Sequence, residues 1–184
     1  MPISQLDEHA ALIVIDLQKG ITGMPTVHPA GEIVARSAEL ARAFRNKGLP
    51  VVLVNVVSPP SGRTEAVRPK FAFPADWTEL DPALGQQPED LLVSKRCVGA
   101  FIGSNLDQLL RDRGVTQVFL AGISTSAGVE STGRSAYDHG YHVAFVVDAM
   151  TDRDVEAHGH SVEKVFPRIG ETDTTENVLR LLEG

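Results

Sequence analysis

Apolar residues fall along this chain in short continuous runs, each followed by a longer segment whose apolar positions recur at helical spacing. The first run, from Ala10 to Ile15, stops at Asp16 and predicts a strand over 10–16. Ile33, Leu40, Ala41 and Phe44 then share one face of a predicted helix over 31–47, which Gly48 ends. Val51 to Val57 is a second strand-like run. Neither run alternates apolar with polar, as expected of strands covered on both faces. Further strands are predicted at 90–94, 117–121, 143–147 and near 168–172. Helices are predicted at 105–113, with Ser104 as cap and Asp107 at its third position, and at 128–139, 153–166 and 174–182, the last opened by Asp173 with Glu176. Between 58 and 90 the chain carries Pro59, Pro60, Pro69, Pro74, Pro82 and Pro88. That is a long irregular excursion, of the kind that is either functional or a surface insertion.

Strands alternating with helices predict an α/β fold of three layers, α/β/α. Its central parallel sheet has about six strands joined by right-handed crossovers in a Rossmann-like manner. The 184 residues fit one domain, 1–184. At 42% hydrophobic and 22% charged, the composition is that of a globular chain with a substantial core. The net charge of −7 disfavours a nucleic-acid partner. Arg63, Arg68 and Lys70 are too sparse for a nucleic-acid groove but suit one small anion. The lone Cys97 excludes an internal disulfide, and the first residues lack a leader pattern. No run is long enough to cross a membrane. A cytoplasmic location is expected.

Three strand ends carry polar or small residues: Asp16 after the first run, Lys95 after the third, and the turn from Gly122 through Ser124, Thr125, Ser126 and Gly128 after the fourth. Ligands of open parallel sheets bind outside the carboxyl ends of the strands. An acid, a cation and a glycine-bearing turn at three such ends therefore define one candidate site. Asp16 is the candidate acid or base, and Lys95 matters if the fold brings it to Asp16. Backbone N–H groups of the strand–turn–helix at 122–132 are candidates for an oxyanion hole. The turn is neither a dinucleotide fingerprint nor a phosphate loop.

With these motifs in order (15–18, 93–101 and 121–132, then Asp148 to Asp152 and Glu156 to His158), the whole chain resembles the isochorismatase-like, or cysteine hydrolase, superfamily. The resemblance implies a parallel sheet flanked by helices and a cis peptide at Ile123–Ser124. In amidase members, such as nicotinamidases and N-carbamoylsarcosine amidohydrolase, it implies an Asp–Lys–Cys triad. Asp16 and Lys95 match the first two members, while Gly128 stands where the amidases carry cysteine.

Glycine offers no nucleophile, and removing one from a hydrolase costs about a million-fold in rate. Members that cleave isochorismate also dispense with the cysteine, and the resemblance therefore implies enol-ether hydrolysis of a small anionic metabolite. Asp16 would be the general acid, Lys95 would position it, and Gly128 would leave room for substrate. Ser124, Arg63, Phe101 and Trp77, with Phe73, are the candidate substrate contacts. The glutamine that such members carry beside the loop arginine is not matched here.

No cofactor is expected. The chain has no histidine between His28 and His139, so a nicotinamidase-type metal site is not expected, and His158 with His160 do not share a helix face. Relatives assemble as homodimers or larger homo-oligomers, and the same is expected here. Two other readings stay open: an inactive small-molecule-binding homologue, and an amidase-type hydrolase whose nucleophile has moved to Cys97 or Ser126.

Overall fold

The computed structural model describes residues 2–58, 60–65 and 74–184. Its centre is a sheet of six parallel strands in the order β3-β2-β1-β4-β5-β6. The strands are β1 (Ala10–Ile15), β2 (Val51–Val56), β3 (Leu91–Lys95), β4 (Gln117–Ile123), β5 (His142–Thr151) and β6 (Glu171–Asp173). The helices are α1 (Lys19–Thr22), α2 (Ala30–Asn46), α3 (Leu106–Arg111), α4 (Glu130–Asp138), α5 (Val155–His160) and α6 (Thr175–Glu183). Among the described residues no helix is long and apolar enough to cross a membrane.

The unbroken apolar strands have a direct cause. In β1, Ala10, Leu12 and Val14 pack with Phe44 and Leu40 of α2 and Val178 of α6. Ala11, Ile13 and Ile15 face the other way, onto Leu106 and Leu110 of α3 and Ala136 of α4. Both faces of the sheet are covered, so every β1 position is buried. Strand order reverses at β1, which pairs with β2 on one side and β4 on the other, and a crevice opens there at the carboxyl ends. Gly122 allows β4 to pass close: its φ is +122°, and a β-carbon there would lie 2.1 Å from the Ile15 carbonyl oxygen.

Several boundaries differ from the sequence-based expectation. The predicted helix over 128–139 begins as a wide turn, Thr125–Val129, and becomes α-helical at Glu130. The Asp152 carboxylate accepts the Ser126 N–H at 2.7 Å and holds that turn. The predicted helix over 153–166 is interrupted after His160 by a second wide turn, Ser161–Val165, and by a tight turn at Phe166–Arg168 containing Pro167. Strand β5 runs on to Thr151 through a register shift against β4, although Asp148 reads as a stop. The last strand lies at 171–173, so Asp173 ends β6 instead of capping α6. Its carboxylate accepts the Ile3 N–H, and Thr174 caps the helix. Ser104 does accept the Leu106 N–H, one residue later than expected. The short α1 and a tight turn at Pro82–Leu84 carry no periodic signal. The peptide between Ile123 and Ser124 is cis, as the family resemblance implies.

Candidate active site

Asp16 is the first residue beyond β1. Its φ of +53° places it in the left-handed region, which aspartate tolerates better than most residues. Its own N–H is held by the Val54 carbonyl and its carbonyl by the Gln18 N–H, both at 2.9 Å. Lys95 ends β3, and its Nζ reaches across to Asp16 Oδ2 at 2.8 Å. The Lys95 ammonium also donates to the carbonyls of Val98 (2.7 Å) and Cys97 (3.3 Å), so all three of its donors are engaged. Both side chains are buried, at 2% and 8% exposure. Asp16 Oδ1 is buried with no hydrogen-bond partner among the described residues. Burial raises the Asp16 carboxyl to about 6, against the opposing pull of the Lys95 charge and hydrogen bond.

A cavity of about 250 Å³ opens onto this pair. Ile21, Val56, Trp77, Val98, Ile123 and Ala127 form most of its wall, and Cys97, Ser124 and Gly128 also border it. A wider groove of about 570 Å³ lies at the amino ends of β1 and β2. Its buried acid, Asp90, is satisfied by two Arg45 nitrogens at 2.8 and 2.7 Å. The smaller cavity is the one that holds a buried carboxylate oxygen without a partner.

Gly128 lies against the pair. A β-carbon there would stand 3.3 Å from Asp16 Oδ2 and 2.9 Å from the Ile15 side-chain methyl. The room expected above Gly128 is thus partly filled by Ile15. Three of the N–H groups expected to serve an oxyanion hole in this turn are engaged. The Ser126 N–H goes to Asp152, and those of Ala127 and Val129 go to the Ser124 carbonyl.

Trp77 borders the cavity, and its position is fixed from behind. A β-carbon on Gly20 would fall 1.8 Å from Trp77 Cδ1, so the indole lies directly on the glycine of α1. The fully buried Gln18 amide donates to the Trp77 and Val56 carbonyls and accepts the Val56 N–H. Sequence reasoning passed over Gln18 and Gly20. Their one signal was a polar residue followed closely by a glycine just beyond a fully apolar strand.

His158, expected to stand away from the site, reaches the turn: its Nδ1 is 2.9 Å from Thr125 Oγ1. Burial and the neighbouring His28 hold His158 below its ordinary value, against the pull of Asp152. Phe101, in the loop that follows β3, stands outside the cavity lining and packs on His139 and Tyr141. Arg63 is exposed and stands outside the cavity lining. Phe73, Arg68 and Lys70 lie outside the described residues. Among the described residues no group of three His, Cys, Asp or Glu side chains is placed to hold a metal ion.

Comparison with known proteins assigns this parallel α/β chain to a family. The model of the isochorismatase domain matches residues 10–177, and the chain belongs to the isochorismatase family of hydrolases. An uncharacterised isochorismatase family protein of Bacillus subtilis, YwoC, is 38% identical, with 94% of this chain and 93% of that protein covered. A maleamate amidohydrolase of Pseudomonas putida is 27% identical over 94% of this chain and 86% of its own. Among solved structures, an isochorismatase family protein of Burkholderia thailandensis superposes with a TM-score of 0.93 at 38% identity, covering 98% of each chain.

Proposed function

We propose that this hydrolase works by proton delivery from Asp16, with no side chain bonded to the substrate. The observation that carries the reading is Asp16, which borders the cavity: its Oδ1 is buried and unpartnered among the described residues, on a carboxyl raised to about 6. Such a group keeps a fraction of its protons near neutral pH and has an oxygen not engaged by Lys95 from which to give one. Gly128, in the position of the amidase cysteine, offers no sulfur.

For an enol ether the steps balance without a cofactor. Protonated Asp16 gives its proton to the terminal vinyl carbon, and the C=C electron pair forms the new C–H bond. Water adds to the oxocarbenium carbon and returns one proton to Asp16. The hemiacetal or hemiketal then breaks its C–O bond, releasing an alcohol and a carbonyl compound. Lys95 holds Asp16 Oδ2 and leaves Oδ1 toward the ligand. The anionic substrate expected from the sequence rested on the resemblance to isochorismate-cleaving members, with Arg63, Arg68 and Lys70 suited to one small anion; Arg63 is outside the lining, and the acid chemistry itself does not require a charged substrate.

The test uses two enol ethers, isochorismate and cyclohexyl vinyl ether, and follows pyruvate or acetaldehyde release. Asp16→Asn is expected to lower kcat/KM on whichever is turned over by about 10²–10⁴-fold, the usual worth of a positioned proton donor. Equal rates in the two proteins would remove Asp16 from the chemistry.

One observation favours a second reading, a thiol hydrolase of the amidase kind: Cys97 is half-buried on the cavity wall. Under that reading alkylation with iodoacetamide abolishes turnover and Cys97→Ser is inactive. Under the acid reading Cys97→Ser keeps its rate.

A further inference from the structure

We propose that the substrate of this site is a small uncharged molecule that lays an apolar body against Ile21, Val56, Trp77 and Val98 and presents its reacting group to Asp16. The proposal rests on the acid reading above for which group faces the ligand.

Lys95 cannot serve as an anion receptor. Its three donors point to Asp16 Oδ2, the Val98 carbonyl and the Cys97 carbonyl, and an ammonium has no fourth. With ionised Asp16 it forms a buried pair of no net charge, and the atom left over for a ligand is a carboxyl oxygen. In that form, the main one at neutral pH, the oxygen repels an anion.

Among the described residues, the cations nearest the cavity do not alter this. Lys19 is engaged on the outside by Glu79 (2.6 Å) and Asp76 (3.2 Å). Arg96 is exposed and donates to Ser58. Arg63 is exposed and outside the lining. An ion entering a mostly apolar wall gives up its hydration and needs a partner in return. The described wall offers an anion none. A cation would meet Asp16, but Lys95 already occupies the other oxygen of that carboxylate 2.8 Å away.

Shape adds to charge. The volume of about 250 Å³ is below the 300–1,000 Å³ common for drug-sized ligands and suits a small molecule. The Trp77 wall is held by its contact with Gly20 and by the Gln18 bridges, so it is a fixed flat surface.

Trp77 is the sole tryptophan of the chain, and its emission therefore reports on this cavity alone. The probes are three near-isosteres differing in charge: cyclohexanecarboxamide, cyclohexanecarboxylate and cyclohexylmethylammonium. Each is titrated into the intact protein near neutral pH at physiological salt. The carboxamide is expected to shift the Trp77 emission and to bind about ten-fold or more tighter than either ion, the penalty for an unpaired charge on an apolar wall.

A carboxylate or ammonium that binds as tightly as the carboxamide, or a set of three probes that all leave the emission unchanged, overturns the proposal. Repeating the titration with Asp16→Asn separates the two readings. If the neutral preference persists while that variant keeps full turnover, the acid mechanism fails and the substrate class stands. If turnover is lost but the carboxylate binds best, the substrate class fails and the mechanism stands.

Discussion

Asp16 is pulled two ways: burial raises its carboxyl, and Lys95 at 2.8 Å lowers it, with burial the larger effect. A general acid works only while it holds its proton. kcat/KM is therefore expected to be level at low pH and to fall about ten-fold per unit as pH rises through about 6, measured as a pH–rate profile on the turned-over enol ether. Lys95→Met removes the lowering influence, so the falling limb should move to higher pH. The same variant leaves a buried carboxylate without its cation, a loss of about 3–5 kcal/mol where Asp16 is ionised. Denaturant unfolding should show less loss at pH 5, where the carboxyl takes up a proton. A profile that does not move in Lys95→Met would mean that another group sets the limb. At this scale the sequence was informative about identity: Asp16 and Lys95 are legible because each follows an apolar run. Their contact was not legible, because 79 residues separate them and the lysine reaches across β2 to make it.

Elements show where local pattern loses to tertiary contact. The five longest strands and helix α2 appear within a few residues of their predicted places, because continuous apolar runs and a helical stripe are strong signals. The segment 125–129 and the segment 161–165 have helical sequence but wide turns, since contacts from elsewhere compete for their backbone and side chains. Asp152 takes the Ser126 N–H, and Glu130 accepts from Ser161 Oγ. Helix α1 has four residues and no periodicity to read; it exists because Gln18 and the 74–81 loop clasp it. Gly20→Ala tests that clasp. The new β-carbon would fall inside the indole, so Trp77 must move, at a cost of about 1–3 kcal/mol. The expected signs are a red-shifted Trp77 emission and a lower unfolding midpoint. An unchanged spectrum would mean that the indole does not rest on α1.

For the molecule as a whole, the same buried groups set how stability follows pH. Asp16 has a higher pKa folded than unfolded, so the folded state binds its proton more tightly. Its contribution is greatest below pH 4 and is lost as pH rises to about 6, a change of about 3 kcal/mol. His158 is shifted the other way: burial favours its neutral form, and its contribution is lost as pH falls below about 6.5. Asp173 also favours the higher pH. Burial alone would raise it, but hydrogen bonds from Asn177 and the Thr174 and Ile3 N–H groups outweigh that, so its contribution is lost as pH falls below about 4. Unfolding free energies at pH 4.5 and 7 should therefore fall less steeply with pH in Asp16→Asn than in the wild type, and His158→Gln should fall more steeply. Identical slopes in all three proteins would contradict these assignments. The sequence by itself determined the layered α/β class, the strand ends that carry Asp16, Lys95 and the Gly128 turn, and the family resemblance, because each depends on local apolar pattern or on short motifs. Only the tertiary structure decided that Asp16 meets Lys95, that every Lys95 donor is consumed, that Trp77 forms a wall while Phe101 and Arg63 do not, and that Ile15 packs beside Gly128. Those facts depend on distances between residues far apart in the chain, and hydrophobic periodicity carries no record of such distances.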